Sequence, residues 1–211
     1  MAINYINGFF PGELQPNATV AGCIDIFENV WQDPYSTIQQ IEQAANKEDS
    51  EIYWQRAGTV GSGPFQDART NRLMEITRLA QISNNPLAQN VHNQFNMMLL
   101  AATIPYARRY GIHEGLWHEG YSLLKYRGGE EYKRHYDGGT GIGRAISALV
   151  YLNDDYEGGE IEFPFFNVKI KPQAGMMLLF PSNYAYTHIA HPITNGTKYA
   201  LVTWIKDRGD V

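Results

Sequence analysis

The sequence is poor in cysteine, in positive charge and in long apolar runs. Its 211 residues include one cysteine, Cys23, so an internal disulfide is impossible. Lys and Arg total 17 against 22 Asp and Glu, a net charge of −5. This balance argues against a protein that coats nucleic acid, because phosphate binding needs clustered cations. No run of about 18 apolar residues exists, so no membrane span is predicted. The N-terminus lacks a secretory signal pattern, which predicts a cytoplasmic location.

What the chain does contain changes in character near residue 110. The length predicts one domain over residues 1–211, with helical support in 1–110 and a β-rich core in 111–211. The capping-box pair Ser36 and Gln39 predicts the start of a first helix. Apolar spacing predicts a second helix over Arg72–Ile82. A third opens at Asn85, followed by proline at the first helical position, and should end or kink at Pro105.

Short β-like runs separated by glycine-rich turns fill the second half of the chain. The predicted strands are Tyr121–Arg127, Glu131–Asp137, Ala145–Leu152, Glu160–Pro164, Asn167–Ile170, Met176–Pro181, Thr187–Thr194 and Lys198–Lys206. Strands of this length at regular spacing are typical of a sandwich or jelly roll. Helices that precede the strands indicate an α+β arrangement, with the helices packed on one outer face of a sheet.

The triplet His135-Tyr136-Asp137 is the first candidate for chemistry. Residues two apart on a strand point to the same face, so an imidazole and a carboxylate would approach one metal ion together. Two histidines and one carboxylate on one side of a metal leave three positions open, which is the arrangement of non-haem Fe(II) oxygenases. Such a triplet is common by chance, so a third ligand has to come from elsewhere.

His188 and His191 compete for the third position. They are three residues apart, so on a regular strand they face opposite sides. A two-residue hairpin loop, Asn195-Gly196, would place Lys198 on the face of His191. A three-residue loop, Thr194–Gly196, with glycine in the left-handed conformation would place Lys198 on the face of His188. Spacing alone leaves both arrangements open.

A series of ordered motifs between Tyr121 and Lys206 resembles one known family. The motifs are Tyr126-Arg-Gly-Gly129, Tyr132, His135-Tyr-Asp137, Arg144, Ser147, Tyr151-Leu-Asn153, Gly158-Gly-Glu160, Phe163-Pro164, and the set His188, Pro192, Gly196 and Lys198. Their order and spacing resemble the prolyl 4-hydroxylase-type branch of the 2-oxoglutarate/Fe(II)-dependent dioxygenases. His191 fits no position of that pattern.

The resemblance implies a fold, a site and a reaction. The expected fold is a double-stranded β-helix (jelly roll), and the expected catalytic residues and iron ligands are His135, Asp137 and His188. Lys198 resembles the residue that pairs with the distal carboxylate of 2-oxoglutarate, and Tyr126 resembles a tyrosine of the same pocket. This favours His188 over His191 and the three-residue loop. The reaction consumes 2-oxoglutarate and O₂, releases succinate and CO₂, and hydroxylates a C–H bond, with ascorbate as the expected reductant.

The expected partner is a proline-containing peptide or protein. The candidate substrate contacts are Arg69, which belongs to an Arg69-Thr-Asn71 element, Arg144 and Trp204. Trp204 would equally serve to fill the barrel. The Gly/Ser-rich segment Ala57–Gln66 is either a lid over the peptide or a plain exposed loop. Two alternatives stay open: a hydroxylase of another side chain, free amino acid or small metabolite, and a metal-binding jelly-roll module without turnover.

Overall fold

Two antiparallel sheets packed face to face form the centre of the fold. The computed structural model describes residues 12–47, 54–57, 68–82, 85–112, 116–139 and 143–207. Its helices are α1 (Pro34–Lys47), α2 (Ile76–Ile82) and α3 (Pro86–Tyr110). Its strands are β1 (Ala18–Val20), β2 (Ile24–Phe27), β3 (Gln55–Arg56), β4 (Arg72–Glu75), β5 (Trp117–His118), β6 (Ser122–Tyr126), β7 (Tyr132–His135), β8 (Arg144–Tyr151), β9 (Glu157–Gly158), β10 (Ile161–Phe163), β11 (Val168–Ile170), β12 (Met177–Pro181), β13 (His188–Ala190), β14 (Ile193–Asn195) and β15 (Lys198–Lys206).

The strand order defines a large sheet and a small one. The large sheet runs β1-β2-β12-β8-β15-β6-β4-β3, with β5 added to β15. The small sheet runs β11-β10-β13-β7, and β14 pairs with β9 separately. Every one of these ladders between described strands is antiparallel. The predicted jelly-roll core with helices against one sheet is therefore confirmed.

Strict alternation along the central strands separates the two faces of the large sheet. On β8, Ile146, Ala148 and Val150 lie in the apolar cluster shared with α1 and α3. Their neighbours Leu149 and Tyr151 face the small sheet instead. The large sheet is thus buried on both sides, and its inner face forms one wall of a cavity.

Helix α3 supplies most of the helical cover. Asn85 caps its first turn by accepting hydrogen bonds from the N–H groups of Leu87 and Ala88. Of the two predicted effects of Pro105, an end of the helix is wrong, because α3 continues to Tyr110. Proline leaves the carbonyl four residues earlier without its helical donor. That carbonyl, of Ala101, accepts the N–H of Leu14 at 2.9 Å. Among the described helices, none has the length and apolarity needed to cross a bilayer.

Two other helix predictions need correction. Residues 72–75 of the predicted second helix form β4, which pairs with β6, so the helix begins only at Ile76. The first helix begins at Pro34, and the Asp33 side chain accepts the N–H of Ser36 at 3.2 Å, so Ser36 is not the cap. Strands β1 to β4 also show that the first half of the chain extends the large sheet as well as supporting it.

The predicted hairpin between the His188 strand and the Lys198 strand does not form. Gly196 is left-handed (φ 83°), as the three-residue loop required, but β14 pairs with β9 rather than with β15. His188 therefore lies in the small sheet and Lys198 in the large sheet. The two residues approach each other across the sandwich and not along one hairpin.

A buried ion pair fastens α1 to the large sheet and gives a first prediction. Lys125 Nζ lies 2.5 Å from Glu42 Oε1, with the two side chains 5% and 27% exposed, and the ammonium lies 4.8 Å from the centre of the Trp54 ring. Removing one partner leaves a buried charge unpaired. We expect Glu42→Ala to lower the free energy of unfolding by about 2–3 kcal/mol in urea titrations. The double variant Glu42→Gln/Lys125→Met should lose clearly less free energy of unfolding, because neither charge remains. An equal loss in the two variants would contradict this explanation.

Candidate active site

Three side chains that could bind a metal ion meet on the inner face of the small sheet. His135 closes β7, His188 opens β13, and the two are directly paired in the ladder. Asp137 follows β7 and places its carboxylate 3.7 Å from His135 Nε2 and 3.8 Å from His188 Nε2. All three ligand atoms lie within 4.8 Å of one another, and they are the one such group of three found among the described residues. The structure thus brings together the ligand set expected from the sequence.

Backbone hydrogen bonds orient both imidazoles toward the cluster. His135 Nδ1 lies 2.7 Å from the Lys133 carbonyl, and His188 Nδ1 lies 3.0 Å from the Tyr186 carbonyl. A carbonyl only accepts, so Nδ1 carries the proton in each ring and the lone pair of Nε2 is free. Metal-bound histidines commonly show this pattern. The donor set, two neutral imidazole nitrogens and one carboxylate, fits Fe(II) with open positions.

The protonation states agree with metal binding. Burial lowers the pKa of His135, and the neighbouring His188 lowers it further, so the ring is neutral at pH 7. Burial alone would raise the pKa of Asp137, but His188, His135 and the Ser147 hydroxyl together bring that pKa below its usual value. The Ser147 Oγ donates to Asp137 Oδ2 at 2.6 Å. The carboxylate of Asp137 is therefore ionised at pH 7.

A bulge in β7 places Tyr132 beside the ligands. The register between β13 and β7 shifts after the His188–His135 pair, and the Tyr132 ring stacks on the His135 ring at 3.4 Å and 13°. Arg69 pairs with Tyr132 as an isolated bridge, and its guanidinium lies 4.9 Å from the centre of the Tyr132 ring. Arg69 is nearly buried and donates to the Asn71 side chain at 2.8 Å.

The three side chains line a cavity between the two sheets, with about 480 Å³ of empty space when the open solvent at its mouth is included. Its wall consists of Arg69, Leu124, Tyr126, Tyr132, His135, Asp137, Leu149, Tyr151, Ile161, His188, Ala190, Lys198, Ala200, Val202 and Trp204. Four predicted site residues outside the metal cluster, Arg69, Tyr126, Lys198 and Trp204, therefore line the same space. Most of the remaining wall is aliphatic, so electrostatic interactions inside the cavity are stronger than in water.

Lys198 is more deeply buried than Arg69, the other basic residue in this cavity wall. Its side chain comes from β15, opposite Tyr126 on β6, and Nζ donates to the Gly159 carbonyl at 2.6 Å. The rings of Tyr151, Tyr126 and Tyr156 surround the ammonium at 5.0, 5.6 and 5.9 Å. Burial lowers the pKa of Lys198 to about 7, with a further lowering from Lys171 and a partial offset from Glu160.

The paired glycines of the Gly158-Gly159 motif explain how a backbone carbonyl reaches Lys198. Both have positive φ, at 73° and 69°. A Cβ on Gly158 would lie 2.3 Å from the Pro192 carbonyl oxygen, and a Cβ on Gly159 would lie 2.5 Å from the Ile193 side chain. Only glycine satisfies both the conformation and the close approach. From outside, Lys171 binds the carbonyls of Tyr156 and Gly158 and so holds the same turn.

Arg144 and Trp204 form a cluster with a residue that the sequence analysis missed. The Arg144 guanidinium lies 3.7 Å from the centre of the Trp204 ring and donates to the Asp137 carbonyl at 3.2 Å. Glu119 binds Arg144 at 2.6 Å and Lys206 at 2.9 Å. Trp204 lines the cavity, whereas Arg144 is not part of its wall. Nothing near Glu119 in sequence indicated this contact, because it depends on β5 lying beside β15.

The remaining predicted positions divide clearly. His191 binds Glu162 at 2.6 Å and does not line the cavity, in keeping with its exclusion as a ligand. Residues 58–66 of the predicted lid lie outside the described residues. The structure is therefore a double-stranded β-helix in which a two-histidine, one-carboxylate candidate metal site and the buried Lys198 line one cavity.

Comparison with known proteins shows which proteins the chain resembles. Residues 121–206 match the sequence model of the 2OG-Fe(II) oxygenase superfamily. Over 119 residues the chain is 33% identical to the probable prolyl 4-hydroxylase 9 of Arabidopsis thaliana. This alignment covers 43% of this chain and 41% of the relative, so the chain spans less than half of that protein's length. It is 26% identical to a putative prolyl 4-hydroxylase of Acanthamoeba polyphaga mimivirus over 81% of this chain and 69% of the relative.

Solved structures share the fold at lower identity. A viral collagen prolyl hydroxylase from Paramecium bursaria Chlorella virus-1, in its 2OG complex, has a TM-score of 0.62 at 18% identity, covering 89% of this chain and 97% of that one. A Trichoplax adhaerens prolyl hydroxylase in complex with a hypoxia inducible factor peptide fragment has a TM-score of 0.71 at 21% identity, covering 89% and 84%. The resemblance to the prolyl 4-hydroxylase-type dioxygenases is confirmed.

The depressed pKa of Lys198 makes a prediction about stability. The folded protein releases this proton near pH 7, whereas an unfolded lysine holds it to about 10.4. Since the unfolded state binds more protons between these values, this group makes the protein more stable as pH rises from 7. We expect Lys198→Met to raise the free energy of unfolding by about 1–3 kcal/mol at pH 6 and by less at pH 9. Urea titrations at both pH values test this, and a destabilised variant at pH 6 would contradict it.

Proposed function

We propose that this chain is an Fe(II)- and 2-oxoglutarate-dependent dioxygenase that hydroxylates proline in a peptide, and that residues 1–211 act as one domain. The observation that carries the proposal is that the His135, Asp137 and His188 cluster and the Lys198 ammonium open into the same cavity. A metal-binding module without turnover would have no need for a buried cation in that position. The names of the relatives and structural neighbours support the choice of proline.

Each residue of the site has a defined task in this proposal. His135, Asp137 and His188 would hold Fe(II). Burial already keeps His135 neutral, and the neighbouring histidines and the Ser147 hydroxyl keep Asp137 ionised. Bound iron supplies the oxidative chemistry, in which O₂ and 2-oxoglutarate give succinate, CO₂ and one hydroxylated C–H bond. The protein orients both substrates and limits access of water.

Lys198 would bind the distal carboxylate of 2-oxoglutarate. An ammonium is a compact point charge, and in an apolar wall its attraction for a carboxylate is stronger than in water. Before binding, Nζ donates to the Gly159 carbonyl, which keeps one of its protons occupied and fixes its direction. Tyr126, paired with Lys198 across the β6–β15 ladder, would line the same end of the co-substrate.

The peptide would approach from the side of Arg69, Arg144 and Trp204. Arg69 and Trp204 line the cavity near the metal ligands, and Arg144 lies against the Trp204 ring. An aromatic wall suits the apolar ring of proline, and nearby guanidinium groups suit the peptide carbonyls, which accept hydrogen bonds. A reductant such as ascorbate would keep the iron in the ferrous state between turnovers.

Succinate release from 2-oxoglutarate under Fe(II) and ascorbate, with and without proline-containing peptides, tests the activity. We expect succinate to rise with a peptide that gains one oxygen at proline in mass spectra. Peptide-independent succinate would keep the oxygenase and discard the proline substrate, which favours another side chain or a small metabolite. Absence of succinate with iron bound would overturn the proposal in favour of a binding module.

The ligand assignment has a matched control in His191. His135→Ala, Asp137→Ala and His188→Ala should each reduce turnover by at least about 10³-fold, because two protein donors do not hold the metal in place. His191→Ala should retain most activity, since that ring binds Glu162 and lies outside the cavity wall. A dead His191→Ala variant beside an active His188→Ala variant would reverse the assignment.

The pKa of Lys198 also predicts how co-substrate affinity depends on pH. Above pH 7 the free lysine is neutral and has to take up a proton when the carboxylate binds. The KM for 2-oxoglutarate should therefore rise as pH increases from 7 to 9. Lys198→Ala should raise this KM by about 10- to 100-fold, the worth of a charge-assisted hydrogen bond, and remove its pH dependence. Lys198→Arg, which stays charged, is the control, and unchanged metal affinity in all three proteins would separate this role from a structural one.

A further inference from the structure

Two buried serine hydroxyls stand behind the carboxylate of Asp137. Ser147, on β8, is 0% exposed, and Ser182, directly after β12, is 1% exposed. Ser147 Oγ donates to Asp137 Oδ2 at 2.6 Å, and Ser182 Oγ lies 2.8 Å from Ser147 Oγ. A hydroxyl has one proton, and that of Ser147 is directed at the carboxylate, so Ser182 donates to Ser147. The three groups form a chain of hydrogen bonds that ends on the metal-ligating side chain.

Ser182 also holds the main chain beside Asp137. Its carbonyl accepts the N–H of Gly138 at 2.6 Å, and its own N–H donates to the Ala145 carbonyl at 3.0 Å. A Cβ on Gly138 would lie 2.9 Å from the same Ser182 oxygen, so the approach requires glycine. Ser182 thus contacts the peptide that follows Asp137 and, through Ser147, its side chain.

Asp137 needs these contacts more than the two histidines do. His135 and His188 are fixed by the β7–β13 ladder and by the carbonyls at their Nδ1 atoms. Asp137 lies outside any strand, so no ladder sets the direction of its side chain. Ser147, in contrast, sits in the centre of β8 and is paired with Phe180 of β12 and Trp204 of β15. A strand that is paired on both sides thereby positions the one side chain of the cluster that lies outside a strand.

We propose that Ser147 and Ser182 are positioning residues that fix the rotamer of Asp137. The short hydrogen bond from Ser147 would hold Oδ2 in place and so keep the carboxylate directed at the two histidines, with Oδ1 3.7 Å from His135 Nε2 and Oδ2 3.8 Å from His188 Nε2. Partners of this kind, one shell behind the ligands, typically contribute 10- to 100-fold in metal affinity. The inference rests on the metal site of the proposed function.

The test is the dissociation constant of the full chain for Mn²⁺ and Co²⁺, measured without 2-oxoglutarate or turnover. We expect Ser147→Ala to raise it by about 10- to 100-fold. Ser182→Ala should raise it by a smaller factor, because Ser147 keeps its bond to the carboxylate but loses its own donor. Ser147→Thr, which retains the hydroxyl, should restore affinity. The d–d spectrum of bound Co²⁺ should change in Ser147→Ala, because the carboxylate of Asp137 is then free to rotate.

Thr203→Val is the matched control. Thr203 is fully buried on β15, and its hydroxyl donates to the Gly120 carbonyl at 2.7 Å, away from Asp137. This variant should lose stability in thermal melts of the metal-free protein yet keep its metal affinity and Co²⁺ spectrum. If Ser147→Ala and Ser182→Ala behave as Thr203→Val does, the serines are structural and the inference is wrong. If the unmodified chain itself binds neither metal, the proposed function fails, a result distinct from the first.

Discussion

The interior of this jelly roll contains a carboxylate and an ammonium ion, and the burial of these two charges is the constraint on which the site depends. A buried charge is tolerated when hydrogen bonds replace its hydration. Ser147 performs this for Asp137, and the Gly159 carbonyl performs it for Lys198. The unusual features around the cavity, including the paired glycines and the two fully buried serines, follow from the need to bring such partners close.

The two sheets divide the work between them. The small sheet contributes both histidines from directly paired positions, so their mutual distance is set by one ladder. The large sheet contributes Lys198 from its central strand β15, which has a paired strand on each side. Because β8 and β15 are also packed against α1 and α3, the wall that bears the cation has little freedom to move. The small sheet therefore sets the spacing of the two histidines, and the large sheet sets the position of Lys198.

Sequence patterns predicted this arrangement wherever local rules decide it. Period-two alternation and glycine-rich turns located the strands of the core, and the His135-Tyr-Asp137 spacing located two ligands. The failures have tertiary causes. α3 continues through Pro105 because Leu14, far away in the chain, supplies a donor to Ala101. The predicted hairpin between His188 and Lys198 does not form because β14 pairs with β9. No sequence pattern indicated Ser182, because its contact with Ser147 depends on the pairing of β12 with β8.

The depressed pKa of Lys198 connects stability with binding. Burial disfavours the ammonium form in the empty cavity, so part of the folding free energy is given up at this position. A dianionic ligand restores the preference for the charged form, because its carboxylate replaces the lost hydration. The burial that lowers the stability of the protein with an empty cavity therefore increases the gain in stability when a carboxylate binds. On the other face of the sheet, Lys125 is paired with Tyr199 in the ladder and compensated permanently by Glu42. Adjacent strand positions thus hold one lysine with a built-in carboxylate and one without, and only the second is available to an external carboxylate.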